Sequence, residues 1–339
     1  MDRCFSLAQL GAGHVAPNPM VGTLLVYNDR IIGEGYHRRY GQVHAEVNCI
    51  DSVANEHKSF IPHATMYVSL EPCSHYGQTP PCANLIVKEK ICTVVIGCTD
   101  IYNEVNGKGI EILESNGVKV IKGILEKEAI ALNKRFFTFH SKQRPYIILK
   151  WAQSANGKIA NGDYSAVSIS NEYTNRLVHK WRSEEASILV GTNTALHDDP
   201  SLTNRCWHGN DPVRLVVDRE LKLPPSLKLF DGTVKTIVFN SLKQEERSNL
   251  KYYKIARDKE FIPELLIELY RQKIQSVLIE GGAGILQYFI DANLWDEARV
   301  ITNNSLQINN GINGPALNSG TLIKSENILS DHIQYYRLL

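Results

Sequence analysis

The stretches HAEVNCIDSV (residues 44–53) and SLEPCSHYGQTPPC (69–82) decide how the first half of this chain is read. His44, Cys73 and Cys82 supply one imidazole and two potential thiolates, ligand types that suit Zn2+. Three protein ligands leave a fourth position for water, the mark of a catalytic site. Glu46 is the other informative residue. A carboxylate beside a zinc-bound water can take its proton and return it to a leaving group, so His-x-Glu joined to a later Pro-Cys reads as a hydrolytic deaminase signature.

Spacing sets a condition on that reading. Positions two apart do not share a face in mid-helix, so His44 and Glu46 converge only if the metal sits at a helix end. Pro80-Pro81 is good chemistry for a first helical turn and puts Cys82 near the positive end of the following helix, which favours the thiolate. The plainer alternatives are a core or capping His44 with two merely buried cysteines, and a structural zinc site completed by His75, which would leave Glu46 without a role.

Working outward, MVGTLLVY (20–27) and RIIGEGYH (30–37) read as a hairpin turning at YNDR. A helical pattern follows from about His44, then a strand at 65–70, a helix opening at Pro80-Pro81, a strand at 91–97 and a helix near 107–116. Ser141-Lys142-Gln143-Arg144-Pro145 interrupts the pattern, and Pro145 biases its predecessor toward extended backbone. This predicts two α/β domains, 1–143 and 144–339. After the junction βα alternation resumes: strands at 145–151, 186–191, 213–218, 234–239 and 276–280, with helices over 171–183 and 261–272 and another after Gly281-Gly282-Ala283-Gly284.

Composition narrows the function. A chain of 339 residues suits two cores, and 37 basic against 36 acidic residues give no field for gathering nucleic acid or an anionic membrane. Seven cysteines without a framework pattern disfavour a disulfide scaffold. No leader pattern or run of 18 apolar residues is visible, so the expectation is a soluble protein of the reducing cytoplasm.

In the second half, Glu280-Gly281-Gly282-Ala283-Gly284 follows an apolar strand and opens a helix. Glycines there suit either a tight strand-to-helix turn or close approach of backbone to a pyrophosphate. GTNTALHDDPSLTNR (191–205) reads as a polar loop able to hold a nucleotide or sugar phosphate, although Asp198-Asp199-Pro200 is equally explicable as turn chemistry.

APNPMVGTLLV (16–26), GEGYHRRYGQVHAEVNCI (33–50), YVSLEPCSHYGQTPPC (67–82), LKWAQSANGKIA (149–160), ILVGTNTALHDDPSLTNR (188–205) and LIEGGAGILQYF (278–289) resemble, in order, the bifunctional deaminase–reductases of riboflavin biosynthesis. The resemblance spans nearly the whole chain. It implies a cytidine-deaminase-like domain followed by a dihydrofolate-reductase-like α/β domain. The first would deaminate 2,5-diamino-6-(5-phosphoribosylamino)pyrimidin-4-one; the second would use NADPH to reduce the ribosyl group to ribityl.

By the same resemblance zinc is held by His44, Cys73 and Cys82, and Glu46 moves the proton. Asn18, His37 and Asp100 fall at pyrimidine contacts, and Arg182, Leu202, Arg205 and Glu280 at substrate positions of the reductase. Gln153, Thr194, Asp198, Gly282, Ala283 and Gly284 fall at NADPH contacts. For the substrate phosphate a planar guanidinium is preferred, Arg205 before Arg182. The chain departs from the family pattern at Gln78, where many relatives carry Lys or Arg, at Ile101-Tyr102-Asn103, at Ala155-Asn156 and at Ser168, where a Trp is expected.

The partners expected are a small phosphoribosyl pyrimidine and a second copy of the chain in a homo-oligomer, with no nucleic acid and no membrane. One rival is a deaminase acting on flipped bases of nucleic acid, which would need a basic, aromatic-lined channel. Another is a monofunctional zinc pyrimidine deaminase whose C-terminal domain is a non-catalytic interaction module.

Overall fold

The computed structural model describes residues 1–74, 80–102 and 105–338. Contacts divide the chain into two compact units, Met1–Gln143 and Arg144–Leu339.

The first unit contains α1 (Asp2–Gln9), β1 (Gly22–Tyr27), β2 (Arg30–Tyr36), α2 (Ala45–Asp51), a 3-10 helix (Asn55–His63), β3 (Thr65–Leu70), α3 (Cys82–Lys88) and β4 (Thr93–Cys98). α4 (Lys108–Ser115), β5 (Lys119–Lys122), α5 (Glu126–Leu132) and α6 (Lys134–Lys142) complete it. The sheet runs β2-β1-β3-β4-β5. β1 pairs antiparallel with β2 and β3, whereas β3, β4 and β5 are parallel. Asn28 and Asp29, both at positive φ, make the tight turn that joins Tyr27 to Arg30. Leu25, Met66, Val68, Val94 and Ile96 fill the core beneath α2, α3 and α4.

The second unit begins with β6 (Tyr146–Ser154), β7 (Lys158–Asn161), α7 (Glu172–Glu184), β8 (Ser187–Gly191), α8 (Thr192–Asp198), β9 (Val213–Val217) and β10 (Thr236–Asn240). It continues through β11 (Glu245–Arg247), β12 (Leu250–Lys254), α9 (Phe261–Arg271), β13 (Ser276–Gly281), α10 (Ala283–Asp291), β14 (Glu297–Asn303), β15 (Gly311–Asn313), β16 (Thr321–Ile328) and β17 (Asp331–Arg337). A ten-stranded sheet is ordered β11-β12-β10-β9-β8-β13-β6-β14-β17-β16. Its centre, from β12 to β14, is parallel and its margins antiparallel. That is why the central strands are continuous apolar runs: both faces are covered. Ile188, Leu189, Leu215, Leu278 and Ile279 are fully buried there.

α7 starts where Asn171 caps it, its side chain accepting the Tyr173 and Thr174 N–H groups at 3.0 Å, a cap worth about 1 kcal/mol. One expectation is corrected: the stretch read as a polar loop over 191–205 is helical in its first half, as α8. Only Ala195 of that helix is buried, so its sequence carries no apolar period.

Candidate active sites

In the first unit the functional side chains gather at the carboxyl ends of the parallel strands, where open α/β sheets place their ligands. α2 lies directly on β2 because Gly35 offers no side chain; a Cβ there would stand 2.3 Å from the Cys49 nitrogen. This seats His44 as the N-cap of α2 in extended conformation and Glu46 in the first turn. Two positions apart, they converge because the helix begins between them. Glu46, only 3 % exposed, interacts electrostatically with His44 and Cys73 and hydrogen-bonds Cys82.

Cys73 leaves β3 just after Pro72, and Cys82 is the first residue of α3, with Pro81 as its N-cap. Cys73 Sγ and Cys82 Sγ each lie 3.4 Å from His44 Nδ1, and the Cys82 N–H donates to Cys73 Sγ at 3.3 Å. The three donor atoms lie within 4.8 Å of one another. A tetrahedral zinc with ordinary bond lengths sets N and S ligands roughly 3.6 Å apart, so the cluster fits that ion. The Cys73 thiol is held well below its usual range, first by a hydrogen bond from Cys82 and then by His44, against burial. Burial, with the Cys73 charge, pushes the Glu46 carboxyl up, which suits a group that must take a proton and give it back.

Asn18 Nδ2 lies 3.2 Å from His37 Nε2, and His37 Nδ1 lies 3.2 Å from the Val43 carbonyl. The carbonyl requires the proton on Nδ1, so Nε2 accepts from Asn18. The rings of His37 and His44 meet edge to face at 5.3 Å, which brings Asn18 and His37 to the metal ligands. Asp100, after β4, is raised to about 6 by burial. His75, Gln78 and Asn103 lie outside the described residues.

Sequence reading missed Glu71. Its buried carboxylate accepts four backbone N–H groups: Asp100 and Gly107 on Oε2 at 3.1 and 3.0 Å, and Gly109 and Ile110 on Oε1 at 2.9 and 3.3 Å. Two residues ahead of Cys73, it ties the strand that delivers a metal ligand to the segment that carries Asp100. Gly109 is packed so tightly there that a Cβ would stand 2.0 Å from the Pro72 carbonyl oxygen.

In the second unit a cavity of about 1010 Å3 opens over the carboxyl ends of β6, β8, β9 and β13. Thr194, Asp198, Leu202, Arg182, Glu280 and Gly282–Gly284 line it. Gly282 caps α10, so the free first N–H groups of that helix lie at the cavity wall. Gln153 and Arg205 are not among the lining residues. The Gln153 amide accepts from Trp151 Nε1 at 2.9 Å and donates to Thr302 Oγ1 at 3.2 Å. Arg205 is exposed, its guanidinium donating to Thr203 Oγ1 at 3.0 Å. Asn156 braces the turn after β6, bonding both backbone groups of Ile308 at 2.9 and 3.2 Å.

Arg182 is no solvated helix-face arginine. Its guanidinium grips Glu280 through two bonds of 2.8 and 2.7 Å, and Lys150 Nζ stands 3.6 Å from the same carboxylate. Burial opposes the Glu280 charge, but Arg182 and Lys150 outweigh it and hold the carboxyl down to about 2. Burial lowers Lys150. Lys150 and His179, which faces the same charges, were not singled out from the sequence: Lys150 and Glu280 lie on strands far along the chain from Arg182, and His179, one turn before Arg182 on α7, carries no motif of its own.

Residues 1–98 match the cytidine and deoxycytidylate deaminase zinc-binding region, and residues 145–305 match the RibD C-terminal domain. The riboflavin biosynthesis protein RibD of Aquifex aeolicus is 37% identical over 301 residues, covering 87% of this chain and 83% of that protein. Its Escherichia coli counterpart is 32% identical over 320 residues, covering 88% and 84%. A solved diaminohydroxyphosphoribosylaminopyrimidine deaminase/5-amino-6-(5-phosphoribosylamino)uracil reductase from Thermotoga maritima superposes with a TM-score of 0.91 at 33% identity, covering 100% of this chain and 97% of that one.

Fold, metal cluster and matches together define the class: a zinc-type deaminase unit followed by a reductase unit. The chain belongs to the RibD family, the bifunctional deaminase–reductases of riboflavin biosynthesis. Among the described residues no helix is long and apolar enough to cross a membrane.

Proposed function

We propose that the first unit deaminates 2,5-diamino-6-(5-phosphoribosylamino)pyrimidin-4-one and that the second reduces the ribosyl group of the product to ribityl with NADPH. The observation that carries the first step is the His44, Cys73, Cys82 cluster with Glu46 buried beside it. Zinc held there supplies a Lewis acid that makes a bound water acidic near neutral pH. Glu46 takes the water proton and delivers it to the departing amino nitrogen, which leaves as ammonia. Asn18 and His37, already fixed on each other, present hydrogen-bonding groups to the pyrimidine, and Asp100 accepts from its amino edge.

In the second unit NADPH supplies the hydride. The α10 N-terminus at Gly282–Gly284, with Thr194 and Asp198, holds the cofactor; Gln153 contributes through the wall behind it. Glu280 and Arg182 orient the sugar over Leu202, and Arg205 meets the phosphate. Hydride addition at C1 opens the sugar ring, and its oxygen needs a proton; the Lys150 ammonium, buried beside Glu280, is the group that holds one there.

The cavity and the Lys150–Glu280–Arg182 network favour a working reductase over a non-catalytic interaction module. Balanced charge supports a small-molecule substrate over nucleic acid. Seven free cysteines support a cytoplasmic setting. The edge strand β16, with Leu322 and Ile323 exposed, supports a homo-oligomer. Glu46→Gln tests the proposal: the variant is expected to bind zinc and oxidise NADPH with supplied deaminated intermediate, while ammonia release falls by at least about 100-fold. Near-normal ammonia release would remove Glu46 from its role.

A further inference from the structure

His179 sits on α7 one turn before Arg182, so both project from the same helix face. Each holds the segment that ends in Arg205. His179 Nδ1 accepts the Arg205 backbone N–H at 3.0 Å, and Arg182 Nη1 donates to the Thr203 carbonyl at 3.2 Å. The segment needs such anchors: Leu202 is at positive φ, a conformation that a non-glycine residue adopts only when its surroundings enforce it. Arg182 has its other guanidinium bonds on Glu280, which leaves His179 as the anchor acting on Arg205 itself.

An Nδ1 that accepts a hydrogen bond carries no proton, so the ring must be neutral with its proton on Nε2. The surroundings enforce that state. Burial, Arg182 and Arg205, with Lys150 beyond them, bring the imidazole down to about 4, with Glu280 opposing.

We infer that His179 is a positioning residue for the reductase substrate: its neutral Nδ1 fixes the Arg205 backbone so that the guanidinium is preset for the substrate's phosphate. This rests on the reading that Arg205 meets that phosphate. A preset guanidinium contributes to binding the phosphorylated end without touching the reacting carbon, so its loss is read in KM and not in kcat.

The test uses the full chain with His179→Leu, His179→Asn and Arg205→Ala. Asn carries its amide oxygen on Cγ, where the imidazole carries Nδ1, and so restores an acceptor; Leu does not. Steady-state reduction is followed with the deaminated phosphoribosyl compound and with its dephosphorylated ribosyl form, and NADPH binding by fluorescence titration. For His179→Leu we expect KM for the phosphorylated substrate to rise about tenfold with kcat and NADPH affinity little changed. His179→Asn recovers most of that loss, and neither variant alters KM for the dephosphorylated form.

An unchanged KM in His179→Leu, with KM raised in Arg205→Ala, overturns the role of His179 and leaves the phosphate reading intact. Equal losses on both substrates also overturn it, because they mark a general structural effect. An unchanged KM in Arg205→Ala removes the phosphate reading itself, and the inference with it. If His179→Leu does not fold, His179→Gln replaces it; its longer side chain moves the acceptor away from Arg205 and gives the same contrast with His179→Asn.

Discussion

Replacing Glu71 by Gln exchanges one oxygen for an NH2 and scarcely alters size. The carboxylate accepts two N–H groups on each oxygen, at distances of 2.9 to 3.3 Å, and is 4 % exposed. Whichever way the amide is turned, its oxygen can serve one pair and its NH2 faces the other pair, donor against donor. Two hydrogen bonds to a charged acceptor are lost, each worth about 1.5–3 kcal/mol, which gives a destabilisation of about 3–6 kcal/mol. Against a usual total of about 5–15 kcal/mol this is severe. Urea denaturation should show the loss, and native-state hydrogen exchange should quicken at Asp100, Gly107, Gly109 and Ile110. Zinc affinity should fall with it, since Cys73 follows closely. A loss below about 1 kcal/mol with unchanged exchange at those amides would refute the four-acceptor argument.

Gly109→Ala would put a methyl carbon 2.0 Å from the Pro72 carbonyl oxygen, where neither backbone can move cheaply; we expect a loss of about 1–3 kcal/mol in thermal or urea unfolding and weaker zinc binding by titration. Glu280→Ala strands Arg182 and Lys150 in a buried site, which should cost about 3–5 kcal/mol, and adding Arg182→Ala should cost less than it does in the wild-type background. The double-mutant cycle measures this. Acid sensitivity follows from the same pair: Glu280 is held down to about 2, below its ordinary 4.5, so its contribution is complete above 4.5 and disappears as pH falls toward 2. Wild type should therefore lose stability more steeply over that interval than Glu280→Gln, as followed by circular dichroism.

Much of the architecture was legible because its signals are local. The hairpin at Asn28-Asp29 carries its own turn chemistry, and the apolar stretch Thr65–Leu70 its own strand pattern. α8 was illegible for the complementary reason: with one buried residue, its polar run resembles a loop. β16 was equally obscure, since most of its residues are exposed and no alternation marks it. Among the site residues, the metal cluster declares itself through residue type and spacing. Glu71, Lys150 and His179 do not, because their roles depend on partners supplied by other elements, and no short motif encodes that meeting.

Most residues of the two proposed sites sit at strand ends or on the helices and connections that follow them, while the strand interiors pack against one another and against the covering helices. Such a layout places most of the apolar core beneath the sites and the polar networks that bind and brace at their rims. Substitutions confined to those rims can therefore retune turnover or preference while the scaffold beneath them stays the same.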